Sequence, residues 1–262
     1  MPVTRRASTI MRKLANLSLA DAFRVVSRLP SLPPSLTAPA SLSAVDLTTL
    51  LFPEVTPSSA EACRLEYLKD SKFFSTLNER MLEKRRRHII WPSWSEFLYM
   101  AVRFSKPRVV VETGVFDGAS SAVILRALAE NEEGELVSID LPARKIIPGS
   151  TDSMGSQTLP PDCEPGWLVP DDLRARYRLY LGDSKELLPK IFAERPRIDI
   201  FFHDSLHTFE HMYFEYKTAW PHLSEGGLLL SDDVLWSEAF HKFLKQQGKG
   251  YGRLDRLGAA RK

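Results

Sequence analysis

The sequence predicts an α/β fold: a doubly wound, mostly parallel sheet with helices on both faces, preceded by an N-terminal helical and linker segment. Three observations lead there. From Arg108 onward, short β-branched or aromatic runs alternate with stretches of helical periodicity. Those runs are continuously apolar, as in strands buried on both faces of a parallel sheet. Acidic residues stand at the ends of several runs, where open α/β sheets bind their ligands.

The elements follow in chain order. Residues 1–60 read as a basic, Pro/Ser-rich arm and linker, punctuated by Pro30, Pro33, Pro34, Pro39, Pro53 and Pro57. Arg5, Arg6, Arg12 and Lys13 precede the first acidic residue, Asp21. That composition suits either an organelle transit peptide or a basic amphipathic helix, and it lacks the apolar core of a secretory signal. Residues 61–105 form a helical lead-in. Its periodicity starts near Ser58 and runs through Leu65, Leu68, Phe73, Leu77 and Met81, with a further helix over 93–104. The basic run Lys84 to Arg87 reads as a favourable helix C-terminus. Residues 106–262 make the α/β domain. Its strands are predicted at 108–112, 135–139, 177–181, 198–202 and 227–231, with helices at 120–131 and 208–219. The tail after residue 250 has room for two short strands joined by a tight turn. Residues 141–176 are too long for an ordinary connection and read as a lid or substrate wall, with Trp167 and Met154 lining an apolar or saccharide face.

Bulk composition narrows the partners. Across 262 residues, Lys plus Arg number 35 and Asp plus Glu 33, a net charge of +2. So even a balance gives no argument for nucleic acid or an acidic membrane as partner. The two cysteines, Cys63 and Cys163, have no metal-ligand spacing and suit a reducing compartment. No apolar stretch reaches the ~18 residues of a membrane span. A cytoplasmic protein is expected, and assembly as a homo-oligomer stays open.

The first strand ends in the loop Glu112-Thr113-Gly114-Val115-Phe116-Asp117-Gly118-Ala119-Ser120. Glycines 114 and 118 allow close backbone approach to a ligand and tight helix packing, though a plain strand-to-helix turn uses the same residues. The pattern is not GxGxxG, and it is acidic. Carboxylates there repel a dinucleotide pyrophosphate but suit a ligand carrying an ammonium and a sulfonium. Asp140 ends the second strand, where an acid can take the hydroxyls of a ribose. Asp183, after the third strand, either faces an adenine amino group or caps the next helix.

Taken together, ETGVFDGASS, the acidic end of VSID, LGDS, FFHDSLHTFEH and LLLSDDV resemble class I S-adenosylmethionine-dependent methyltransferases. Within that class they are similar to a bacterial group related to metal-dependent catechol-type and macrolide-sugar O-methyltransferases. The resemblance covers residues 90–250. It implies a Rossmann-like seven-stranded sheet with an antiparallel last strand. It also implies that S-adenosylmethionine is bound by Glu112, Gly114, Phe116, Gly118, Ser120, Asp140, Asp183 and Asp204.

Asp204 follows the fourth strand, and Asp232 and Asp233 follow the fifth. Neighbouring strands lie ~4.8 Å apart, so these carboxylates can meet around one cation. An all-oxygen set suits Mg²⁺ better than zinc, and the resembled enzymes place metal ligands at the matching positions. The competing reading has Asp232 and Asp233 cap a helix starting near Leu235. His207 leaves the same strand end as Asp204, where the resembled sugar-modifying enzymes hold a histidine base and the catechol type a lysine. An imidazole is suited to taking a hydroxyl proton, although a capping or packed histidine fits the spacing too. His203 and His211 read as structural.

The expected activity is therefore O-methylation of a small molecule or saccharide. Two alternatives stand beside it: a catalytically silent binding protein on the same fold, and an NAD-linked oxidoreductase, for which GxGxxG is lacking.

Overall fold

The computed structural model describes residues 38–142 and 158–262. The basic run at the N-terminus and Met154 lie outside the described residues. Seven strands form one sheet: β1 (Val109–Thr113), β2 (Glu135–Asp140), β3 (Tyr177–Leu181), β4 (Ile198–His203), β5 (Leu223–Ser231), β6 (Gly252–Leu254) and β7 (Leu257–Arg261). Their spatial order is β3-β2-β1-β4-β5-β7-β6. The first five pair in parallel, while β7 runs antiparallel to both β5 and β6. The expected sheet, with its antiparallel last strand and short terminal hairpin, is thus present.

Strand order reverses between β1 and β4, because the chain builds outward through β2 and β3 and then returns to β1's other edge. Side chains at the C-terminal ends of β1, β4 and β5 therefore meet at one place. This is the crevice where open α/β sheets bind ligands.

Why the strands read as unbroken apolar runs is clear from the packing. Val110, Ile200, Phe202, Leu228 and Leu230 enter a core shared with the lead-in helices and α5 (Ala119–Asn131). Val111, Val137, Phe201 and Leu229 enter a second core on the other face. That face is covered by α6 (Ser184–Glu194), α7 (Phe209–Ala219) and α8 (Ala239–Gln246). Consecutive residues bury on opposite sides, so no polar face remains.

Four helices precede the sheet: α1 (Ala44–Leu51), α2 (Pro57–Leu68), α3 (Ser71–Arg85) and α4 (Ser95–Ser105). α1 lies inside the stretch expected to be a linker. Ser43 caps it by accepting from the Asp46 N–H at 3.1 Å, and Leu47 is fully buried. The flanking prolines mark helix boundaries, with Pro57 in the first turn of α2 where its missing N–H costs nothing.

β5 also starts earlier than its apolar run. Register to β4 slips between Ile198 and Ile200, and Gly226 (φ 76°) absorbs the irregularity. The hairpin of β6 and β7 turns at Asp255 and Arg256, with Asp255 left-handed at φ 53°. Its outer edge is covered: Leu42 N–H donates to the Arg253 carbonyl at 2.7 Å. No helix among the described residues is long and apolar enough to cross a membrane.

Candidate active site

The turn from β1 into α5 is built from backbone close approaches. A Cβ at Gly114 would fall 2.0 Å from the Asp204 carbonyl oxygen, and Gly114 holds φ 83°. A Cβ at Gly118 would fall 2.7 Å from the Gly166 Cα. Both glycines thus make room for protein: one seats the β1 turn on the end of β4, the other admits the long β2–β3 excursion.

Beneath this loop, Glu112 is fully buried. Its carboxylate accepts from the hydroxyls of Ser120 (2.6 Å), Ser121 (2.6 Å) and Ser138 (2.7 Å). Burial raises its pKa, and the three hydroxyls pull it back down in part. Glu112 therefore braces the loop from behind and does not line the pocket in front of it, whereas Gly114, Phe116, Gly118 and Ser120 do.

Asp140 clasps the loop from β2. Its Oδ2 accepts the N–H groups of Val115 (2.7 Å) and Phe116 (2.9 Å). Its Oδ1 is buried with no hydrogen-bond partner. Burial raises the Asp140 pKa against the pull of those two N–H groups. An orphaned carboxylate oxygen at the end of β2 is an acceptor suited to a ribose hydroxyl, so this end of the site fits a nucleoside-bearing cofactor. Asp183 is exposed and caps α6, accepting from the Lys185 N–H at 2.8 Å. Of its two readings, the structure displays the cap.

Asp117 meets a partner that the sequence reading lacked. Arg85, at the end of α3, donates to Asp117 Oδ1 at 2.6 Å, and the Trp167 indole N–H donates to the same oxygen at 2.8 Å. The Arg85 guanidinium also lies 4.9 Å from the Phe116 ring centroid. The acidic charge of this loop is thus partly neutralised from the lead-in, and Trp167 locks the excursion onto the loop.

In front of the loop lies a cavity of about 320 Å³. One wall comes from the lead-in and mixes apolar Met81, Ile89, Trp91, Pro92 and Trp94 with Arg87 and His88. The opposite wall carries Asp204, His207, Asp232, Asp233 and Arg256. The three acids expected to meet do so. α8 starts only at Ala239 and has no side-chain cap, so Asp232 and Asp233 do not cap it.

Within this group the spacing is loose. His207 Nε2 lies 3.7 Å from Asp204 Oδ1, and Nδ1 lies 3.8 Å from Asp233 Oδ2. Burial and the neighbouring Asp232 push the Asp204 carboxyl well up. Burial also raises Asp232, opposed by the Arg256 charge. That guanidinium lies 2.9 Å from Asp232 Oδ2 and 3.4 Å from Asp233 Oδ1. Among the described residues, no group of three or more His, Cys, Asp or Glu side chains is arranged to hold a metal ion. The expected Mg²⁺ set of Asp204, Asp232 and Asp233 does not fit a metal as it stands, because two of its members already face a guanidinium.

A second acidic network lies just behind, centred on Glu215 of α7. Its carboxylate accepts from Thr113 (2.6 Å), His203 Nδ1 (2.6 Å), His211 Nε2 (2.9 Å) and Ser205 (3.0 Å). Burial would raise the Glu215 pKa, but the facing His203 and His211 imidazoles outweigh it and hold the group well below the usual range. His203 and His211 are thus placed as packing partners of one acid. The His203 ring stands 5.4 Å from His207, nearly perpendicular to it.

Comparison with known proteins now bears on this geometry. Residues 111–234, the stretch from β1 to just past Asp233, match the family described as a methyltransferase domain. The chain carries a methyltransferase domain of the class I, S-adenosylmethionine-dependent kind. No curated protein matches the methyltransferase in sequence. Among solved structures it is similar to the O-methyltransferase TomG from Streptomyces achromogenes, involved in tomaymycin synthesis and solved in complex with SAM. Identity there is 17%, over 74% of this chain and 90% of that one, with a TM-score of 0.51. It is also similar to the O-methyltransferase from Bacillus cereus in complex with SAH, at 16% identity over 74% and 92%, TM-score 0.50. A methyltransferase from Geobacter sulfurreducens matches at 17% identity over 74% and 89%, TM-score 0.50. At these identities the likeness shows the fold the methyltransferase shares with them.

Proposed function

We propose that this methyltransferase moves a methyl group from S-adenosylmethionine to a hydroxyl of a small molecule or saccharide, with His207 as general base. One observation carries the reading. A buried imidazole stands between two carboxylates at the ends of β4 and β5, in the cavity that the cofactor loop closes from the other side. The Oδ1 atom of Asp140 would take a ribose hydroxyl, and the backbone of residues 114–118 would lie along the amino-acid end. When bound, the cofactor supplies a methyl carbon that passes to the acceptor oxygen, leaving the carbon–sulfur bond pair on sulfur. His207 accepts the hydroxyl proton as the new oxygen–carbon bond forms. Asp233, 3.8 Å from Nδ1, would favour the charged form of the imidazole after proton transfer. The wall of Met81, Ile89, Trp91 and Trp94 would hold an acceptor with an apolar or ring face, excluding water from the reacting atoms. A magnesium-assisted version would draw on Asp204, Asp232 and Asp233, and the guanidinium of Arg256 stands in its way.

Calorimetry with S-adenosylhomocysteine tests the assignment, with NAD as control. S-adenosylhomocysteine should bind and NAD should not. Asp140→Ala should weaken that binding about ten- to a hundredfold, as expected for lost charge-assisted hydrogen bonds. With a hydroxylated acceptor in hand, His207→Ala should lose about 10²–10⁴ in kcat while its affinity for S-adenosylhomocysteine is kept. Preference for NAD would sink the assignment, and near-normal kcat in His207→Ala would move the base elsewhere.

A further inference from the structure

The turn between β6 and β7 is anchored on three sides. The Asp255 N–H donates to Ser41 Oγ at 2.7 Å, and Ser93 Oγ donates to Asp255 Oδ2 at 3.1 Å. Beside them, the Val234 N–H donates to the Arg256 carbonyl at 3.0 Å. Two lead-in segments and the residue after Asp233 thus fix the backbone at 255 and 256. From that fixed point the Arg256 guanidinium reaches back over the end of β5. One terminal nitrogen lies 2.9 Å from Asp232 Oδ2 and the other 3.4 Å from Asp233 Oδ1. The guanidinium thus places one arm at ion-pair distance from each of two consecutive carboxylates, with the closer contact to Asp232.

A divalent ion at the same oxygens would have to stand about 2.1 Å from each, with several further oxygen ligands around it. It would then lie within a few ångströms of a guanidinium that cannot lose its charge. The two cations would compete for the same lone pairs and repel each other. The nearest permanent positive charge on these acids belongs to the protein itself.

We propose that Arg256 is the resident cation of this acid cluster, holding Asp232 and Asp233 in the place that a divalent ion would otherwise take. The positive charge beside Asp233, the acid that flanks His207, is then supplied from the β6–β7 turn. This rests on the reading of the pocket as the methyl-transfer site, but it makes a separate claim about ions.

The test is a Mn²⁺ titration of the full chain read by electron paramagnetic resonance, without any acceptor. Wild type and Arg256→Lys should leave the ion free up to about millimolar concentration. Arg256→Met keeps much of the stem and removes the charge. It should gain a one-to-one site at least tenfold tighter, lost again when Asp232→Asn is added. Arg256→Gln serves as a second neutral variant if circular dichroism shows Arg256→Met to be unfolded. A stoichiometric Mn²⁺ site in wild type that Asp232→Asn removes would overturn the proposal. So would neutral variants that bind no more Mn²⁺ than wild type. S-adenosylhomocysteine affinity of the wild type, measured on the same sample, separates this outcome from failure of the methyl-transfer reading.

Discussion

Two acid clusters lie back to back at the ends of β1, β4 and β5, and they are built on opposite principles. Around Glu215 every carboxylate lone-pair direction is met, at 2.6 to 3.0 Å, by two hydroxyls and two imidazoles. Around His207 the Asp204 and Asp233 carboxylates stand at 3.7 and 3.8 Å, and acid crowds acid. The first cluster is closed and holds its acid's pKa down; the second is open and pushes Asp204 and Asp232 up. A fully paired buried acid stiffens a fold, whereas like charges kept loosely together store unfavourable energy for a ligand to release. The contrast separates framework from chemistry without reference to any relative.

The largest expected effect comes from breaking the closed cluster. Glu215→Ala leaves Thr113, His203, Ser205 and His211 facing an empty place, and should cost about 3–5 kcal/mol in urea unfolding. A loss below ~1 kcal/mol would mean that the network contributes little and that the comparison is misdrawn. Asp204→Asn should act in the opposite direction. Its carboxylate is disfavoured in the folded state, so neutralising it should stabilise the protein by about 0.5–2 kcal/mol at neutral pH while impairing transfer, the usual trade at a functional site. Unchanged or lower stability in Asp204→Asn would show that its charge is well matched.

The smallest and sharpest test is in the pH dependence of these two differences. A raised folded pKa, as for Asp204, means that stability is present at low pH and lost as pH rises through that pKa. The gap between wild type and Asp204→Asn should therefore narrow as pH falls from 7 towards ~4, since the wild-type acid takes up its proton. Glu215 is depressed, so its contribution is full above the unfolded value of ~4.3 and is lost only as pH falls below it. The gap between wild type and Glu215→Gln should hold steady over 7 to ~5 and close only in more acid solution. Parallel curves for both variants would abolish the distinction.

How much of this was legible in the chain depends on whether a signal is local. Strands such as VVVET and IDIFFH announce themselves because burial on both faces leaves them apolar throughout. The acids at 204, 232 and 233 are legible because a parallel sheet dictates where its strand ends gather. α1 was hidden by prolines that mark helix ends rather than a linker, although Ser43 with Asp46 carries a capping signal. Arg256, Arg85 and Glu215 could not be found by spacing. Arg256 meets Asp233 only through a hairpin, and Arg85 meets Asp117 across 32 positions. Glu215 looks like any helical glutamate until Thr113, from β1, is seen against it. The glycines were read as serving ligand approach, tight packing or a plain turn; they line the pocket, and the side a Cβ would occupy is filled by the backbone of Asp204 and Gly166.

The anchoring of the β6–β7 turn on Ser41 and Ser93 has a consequence for the integrity of the site. The cation beside Asp232 and the edge partner of β5 lie on one hairpin, which docks on residues 214 and 162 positions earlier in the chain. Loosening that hairpin would take Arg256 from the acids at 232 and 233 and bare the outer edge of β5 in a single event.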